Sequence, residues 1–143
     1  MRTIKYIFIH CSASSQKLTI DGLLAEFRRK GWKNPGYHYA ITPDGKVHQL
    51  LDVSEVANGV KGYNSVGVHV AYIGGIDSKA KATDNRTEAQ KKALREMVAK
   101  LHRQYPTAQI MGHRDIWGTN PAKWQKMCPC FDVRKEYADI ING

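Results

Sequence analysis

Two histidines and a cysteine in this 143-residue chain have side chains that could do chemistry together: His10, His113 and Cys128. His10 directly follows Tyr6–Ile9, a continuous apolar run rich in aromatic and β-branched residues, which predicts a strand buried on both faces. His113 follows Gln109–Met111, a second, shorter strand candidate. Side chains just past strand ends are held by a rigid sheet and still reach the surface, so they make good platforms for a site. Cys128 lies in an irregular segment that can close over the same sheet edge. Two imidazoles and one thiolate suit a borderline-soft divalent ion, zinc above all, and leave a fourth position open for water. The three residues are far apart in the chain, and on spacing alone scattered His and Cys are more often structural.

The elements that must position these groups follow from periodicity. Ile20, Leu23, Leu24 and Phe27 fall at i, i+3, i+4 and i+7, an amphipathic helix that Gly31 stops. Tyr37–Ile41 and Val47–Leu51 flank Thr42-Pro43-Asp44-Gly45-Lys46, which is turn chemistry and predicts a hairpin. Val66–Ile73 is apolar on both faces and ends at Gly74-Gly75, a central strand. Asp77–Arg86 is polar and irregular, an expected exposed loop. Thr87 and Gln90 form a capping box for a helix carrying Leu94, Met97, Val98 and Leu101 and ending before Pro106. A short helix is expected from Val133. The layout is α/β: a single domain over residues 1–143, with a central mixed β-sheet flanked by helices.

Length and composition fit that reading. Hydrophobic residues are 42% and charged residues 24%, which excludes disordered and collagen-like classes. No apolar run approaches the ~20 residues of a membrane span, so membrane insertion is not expected. The run after Arg2 and Lys5 is shorter than the ~7–15 apolar residues of a secretory signal, so the chain is expected to be cytoplasmic on synthesis, where cysteines stay reduced. The net charge of +9 predicts attraction to anionic partners. Its basic clusters, such as Arg28-Arg29-Lys30, lack interleaved aromatics, which argues against a nucleic-acid partner. Nothing in the sequence points beyond a monomer.

Five short motifs occur in one order: His10-Cys11-Ser12-Ala13-Ser14, Gly36-Tyr37-His38-Tyr39, Lys61–Val68, Gly74-Gly75-Ile76-Asp77 and Lys126-Met127-Cys128-Pro129-Cys130-Phe131-Asp132. Together they resemble the zinc-dependent N-acetylmuramoyl-L-alanine amidases of the phage-lysozyme type, which share a fold with the peptidoglycan recognition proteins. The resemblance runs from about Ile7 to Asp132. It implies one zinc ion held by His10, His113 and Cys128, with Tyr37 and Lys126 as the active-site tyrosine and lysine. It implies hydrolysis of the amide between N-acetylmuramic acid and L-alanine in peptidoglycan, by a phage or prophage lysin that reaches the wall after holin-type release. Two other roles follow from relatives: a catalytically silent module that binds muropeptides, and a lysozyme that also inhibits RNA polymerase, which the basic surface permits without indicating.

The residues have blander readings as well. Tyr37 suits a plain strand aromatic, Lys126 a solvated surface lysine, and Cys130 could replace Cys128 as ligand. Cys11 should point away from His10 as a small buried hydrophobe, and His38 away from Tyr37 as a core or supporting group. His48, His69 and His102 show no partner pattern and are assigned no function. Two departures from the family stand out. Arg114–Gln125, with Trp117 and Trp124, is longer than the corresponding stretch of compact phage lysozymes, and could line the substrate groove or contact a partner. Ala57-Asn58-Gly59-Val60 lacks a histidine that relatives often place near the cleft.

Overall fold

The computed structural model describes residues 2–143. Five strands form one sheet in the order β3-β2-β4-β1-β5. They are β1 (Tyr6–Cys11), β2 (Tyr39–Ile41), β3 (Val47–Gln49), β4 (Gly67–Tyr72) and β5 (Gln109–Gly112). β1 runs parallel to both β4 and β5, β2 is parallel to β4, and only the β2–β3 hairpin is antiparallel. The sheet is therefore mixed, as expected from the sequence. The hairpin strands are shorter than their apolar runs: Tyr37 precedes β2 and Leu51 lies beyond β3. The turn between them closes with Gly45 N–H on the Thr42 carbonyl (2.8 Å), and Gly45 takes a φ of +85° that suits glycine.

Helix α1 (Ile20–Arg29) starts at Thr19, whose hydroxyl accepts from Gly22 N–H (3.0 Å), and lays Leu23 and Phe27 on one side of the sheet beside Ala40 and Ile73. Helix α2 (Glu88–Gln104) carries the expected capping box and packs Leu94, Met97, Val98 and Leu101 with Ile7, Ile9, Val68 and Val70. Two short helices, α3 (Val133–Glu136) and α4 (Ala138–Ile141), join that same layer through Val133 and Tyr137. Alternation along β1 then sorts its side chains: Ile7, Ile9 and Cys11 face the α2 layer, while Phe8 and His10 face the other. Cys11 thus points away from His10, as alternation requires.

The loop 77–86 is exposed apart from the half-buried Thr83 and Asn85 and its buried last residue. Arg86 is buried, with bidentate contacts to Glu136 (2.7 and 2.8 Å) and to Asp84 (2.8 and 2.9 Å), and its guanidinium lies 3.5 Å from the Phe131 ring centroid. This ties the loop to α3, just beyond Cys128 in the chain. No helix among the described residues is long and apolar enough to cross a membrane.

Candidate metal centre

The C-terminal ends of β1 and β5 lie side by side, because the two strands are parallel and in register from Tyr6↔Gln109 to Ile9↔Gly112. Ligands of open parallel sheets bind at that end. His10 stands near the end of β1, and His113 opens the 3-10 turn His113–Trp117 directly after β5. Cys128 is brought over the same edge by backbone pairing: its carbonyl accepts from Arg114 N–H (3.0 Å), and its sulfur accepts from Cys11 N–H (3.2 Å). Gly112 makes the approach possible, since a Cβ there would lie 2.7 Å from Pro129 Cδ.

The structure brings His10, His113 and Cys128 together, all buried, with one ligand atom from each within 4.8 Å of the others. His10 Nδ1 lies 3.8 Å from Cys128 Sγ. Ligands on a tetrahedral zinc, at bonds of roughly 2.0–2.3 Å, stand roughly 3.3–3.8 Å apart, so the cluster fits a metal ion with little adjustment. Burial lowers the pKa of both, reinforced at His10 by the neighbouring His69 and His113 rings and at His113 by the charge of Lys126: His10 falls well below 6.5 and His113 to about 4. Both imidazoles are therefore neutral at physiological pH, the form that ligates.

A cavity of about 150 Å³ opens beside the cluster, lined among others by Phe27, Tyr37, Gly59 and Lys126. Tyr37 packs its ring 5.0 Å from that of His10 and donates its hydroxyl proton to the Cys11 carbonyl (3.1 Å). Burial, reinforced by the neighbouring Cys128 and Cys11 sulfurs, raises its pKa well above 10, so the phenol stays protonated. Lys126 is exposed at the rim of the same cavity. Cys130 is outside the cluster: its thiol reaches the Gly75 carbonyl (3.6 Å), and hydrogen bonding to Cys11 together with burial raises its pKa. Cys11 is pushed up to about 12, chiefly by its hydrogen bond with Cys128. Of the longer segment 114–125, Trp117 stacks on His113 (5.5 Å, 20°), and Trp124 takes the Arg114 guanidinium at 4.0 Å.

Sequence reasoning missed His69. It is fully buried on β4, and its Nδ1 lies 2.9 Å from His10 Nε2. Its only signal was a polar residue inside an otherwise apolar central strand. His38 is also buried, behind His69, accepting from His69 N–H at Nδ1 (3.0 Å) and reaching the Glu55 carbonyl at Nε2 (2.8 Å). His48 contacts the Thr42 hydroxyl (3.1 Å) at the hairpin turn, remote from the cluster in the sheet order.

Comparison with known proteins agrees with the geometry. A family model described as N-acetylmuramoyl-L-alanine amidase matches residues 1–131. The endolysin of Klebsiella phage KP32 is 41% identical over 133 residues, covering 90% of this chain and 82% of the relative. The solved Ph2119 endolysin, from a bacteriophage of Thermus scotoductus MAT2119, superposes with a TM-score of 0.76 at 25% identity, covering 99% of this chain and 86% of that one. Drosophila PGRP-LB shares the fold at 17% identity, with a TM-score of 0.72 over 96% of this chain and 81% of that one. The match along nearly the whole sequence, on a sheet that gathers the His-His-Cys cluster at one end, shows that the chain belongs to the N-acetylmuramoyl-L-alanine amidase family.

Proposed function

We propose that the protein performs its family's reaction, hydrolysis of the amide between N-acetylmuramic acid and L-alanine in peptidoglycan, through one zinc ion held by His10, His113 and Cys128. The observation that carries this is the convergence of those three side chains on a cavity also lined by Tyr37 and Lys126. When bound, zinc supplies Lewis acidity, which makes water a usable nucleophile near neutral pH and polarises the scissile carbonyl.

The chain's own groups do the rest. Two neutral imidazoles and a thiolate would hold the ion, at the side of the sheet end where the cavity opens. As water adds to the carbonyl carbon, negative charge collects on the former carbonyl oxygen. The Tyr37 hydroxyl, a donor held beside His10, transfers its hydrogen bond from the Cys11 carbonyl to that oxygen, and the Lys126 ammonium opposes the charge from the rim. Breaking the C–N bond requires a proton on the leaving amine, which either group can deliver. The products are a lactyl carboxylate on the sugar and a stem peptide with a free L-alanine amino group. A lysin released through a holin-type membrane lesion would meet this substrate in the wall.

The test is mass spectrometry of purified peptidoglycan digested with the protein, before and after chelation and zinc restoration. Free stem peptides beginning with L-alanine, lost on chelation and regained with zinc, are expected. No cleavage by zinc-loaded protein, on walls with either diaminopimelate or lysine at the third stem position, would instead leave a muropeptide-binding module.

A further inference from the structure

The His10 imidazole has one nitrogen toward the cluster and one toward the sheet interior. Nδ1 faces Cys128 Sγ at 3.8 Å, and Nε2 faces His69 Nδ1 at 2.9 Å. A ring nitrogen that binds a metal offers its lone pair, so the proton must sit on the other nitrogen. If Nδ1 binds, Nε2–H donates and His69 Nδ1 accepts. His69 must then carry its own proton on Nε2, and that atom is buried without a hydrogen-bond partner.

The surroundings hold His69 in this pose. Its ring lies between Phe8 (5.4 Å, 14°) and His38 (5.7 Å, 12°), both nearly parallel to it. On its open side stands Gly59, where a Cβ would lie 2.3 Å from His69 Nδ1. The imidazole at position 69 therefore occupies the space that any side chain at position 59 would need.

We propose that His69 is a positioning residue for the metal centre: it accepts the His10 Nε2–H bond, fixes the tautomer that frees Nδ1 to ligate, and requires glycine at position 59. The proposal rests on His10 being a zinc ligand. Ligand imidazoles commonly lean on a carboxylate or a backbone carbonyl, and here a second neutral imidazole fills that place.

The experiment compares zinc affinity, by competition with graded chelators, in wild type, His69→Gln, His69→Leu and His10→Ala. Glutamine keeps an acceptor that leucine lacks. Leucine should weaken zinc about 10–100-fold, and glutamine should recover most of the loss. Gly59→Ala should weaken zinc in the wild-type background and have no further effect on top of His69→Ala, where the ring is gone. Leucine binding zinc as tightly as wild type would reduce His69 to core filling, with the ligand reading intact provided His10→Ala loses the metal. Undiminished zinc in His10→Ala would instead overturn the ligand reading itself. Nitrogen NMR of the zinc-loaded wild type covers the case in which the leucine variant does not fold. A proton on His10 Nε2, with coupling across to His69 Nδ1, is expected, and its absence overturns the proposal.

Discussion

Replacing Cys128 with serine preserves the size of the side chain and removes the thiolate, so Cys128→Ser should deplete zinc and abolish hydrolysis together. In the proposed mechanism Tyr37→Phe and Lys126→Ala remove charge stabilisation and leave the cluster whole. Each should retain stoichiometric zinc while turnover falls, on the order of 10²-fold for the loss of one donor to the developing oxyanion. Metal analysis beside a wall-turbidity assay separates the two kinds of loss. The lowered histidines also predict a pH effect on the zinc-free protein. His113 binds its proton at about 4 when folded and at about 6.5 when unfolded, and His10 and His69 are shifted in the same direction. As pH falls from 6.5 toward 4 the unfolded state binds more protons, so stability should drop through that window and level off just above it, at about pH 7–8, below the range where the raised Cys11 thiol acts. The carboxylates with lowered values, such as Asp84, start from 3.8 and act only below the window. Urea midpoints measured at about pH 7.5 and about pH 5 check this, and equal midpoints would refute it.

Among the elements, α2 packs its apolar face on the sheet and is also hydrogen-bonded to it through the Gln90 side chain. Gln90 is fully buried: its oxygen accepts from Thr87 N–H (3.0 Å), and its amide donates to the carbonyls of Ile41 and Ile73 (3.0 Å each), at the ends of β2 and β4. Gln90→Leu fills similar space and removes the partner of the Ile73 carbonyl and of Thr87 N–H, while the Ile41 carbonyl keeps Ile73 N–H (2.9 Å), so it should cost about 1–3 kcal/mol, read as a shift in urea midpoint with zinc content unchanged. The capping box was legible because Thr and Gln three apart is a local pattern. So were β1 and β4, read from apolar runs rich in β-branched and aromatic residues, and α2, read from an apolar stripe at helical spacing. The hairpin strands came out shorter because apolar character does not by itself mark where ladder pairing stops. The candidate cluster was legible through strand ends and a family resemblance. His69 was not, because what defines it is a space left by Gly59 and a ring across the sheet, and neither has a sequence period. Arg86 sat unnoticed in a polar loop for the same reason: its partner Glu136 is 50 residues away.

At the scale of the whole molecule, the +9 charge acts at long range. Adsorption to anionic wall polymer should weaken steeply as salt rises. Cosedimentation with purified walls at low and high sodium chloride tests this, and salt-independent adsorption would point to contacts within the cleft instead. Activity on a small soluble muropeptide should respond much less, since the chemistry lies in a buried cluster.

The cluster also joins residues 118 apart, His10 near one end of the chain and Cys128 near the other. Such a centre cannot exist in a partly made polypeptide: a nascent chain holding β1 through β5 would have the platform and lack the sulfur. A polypeptide that stops short of Cys128 therefore lacks one corner of the cluster, however much of the sheet it has formed. The cluster thus acts as a check on chain length, since only a polypeptide that runs through Cys128 can assemble it.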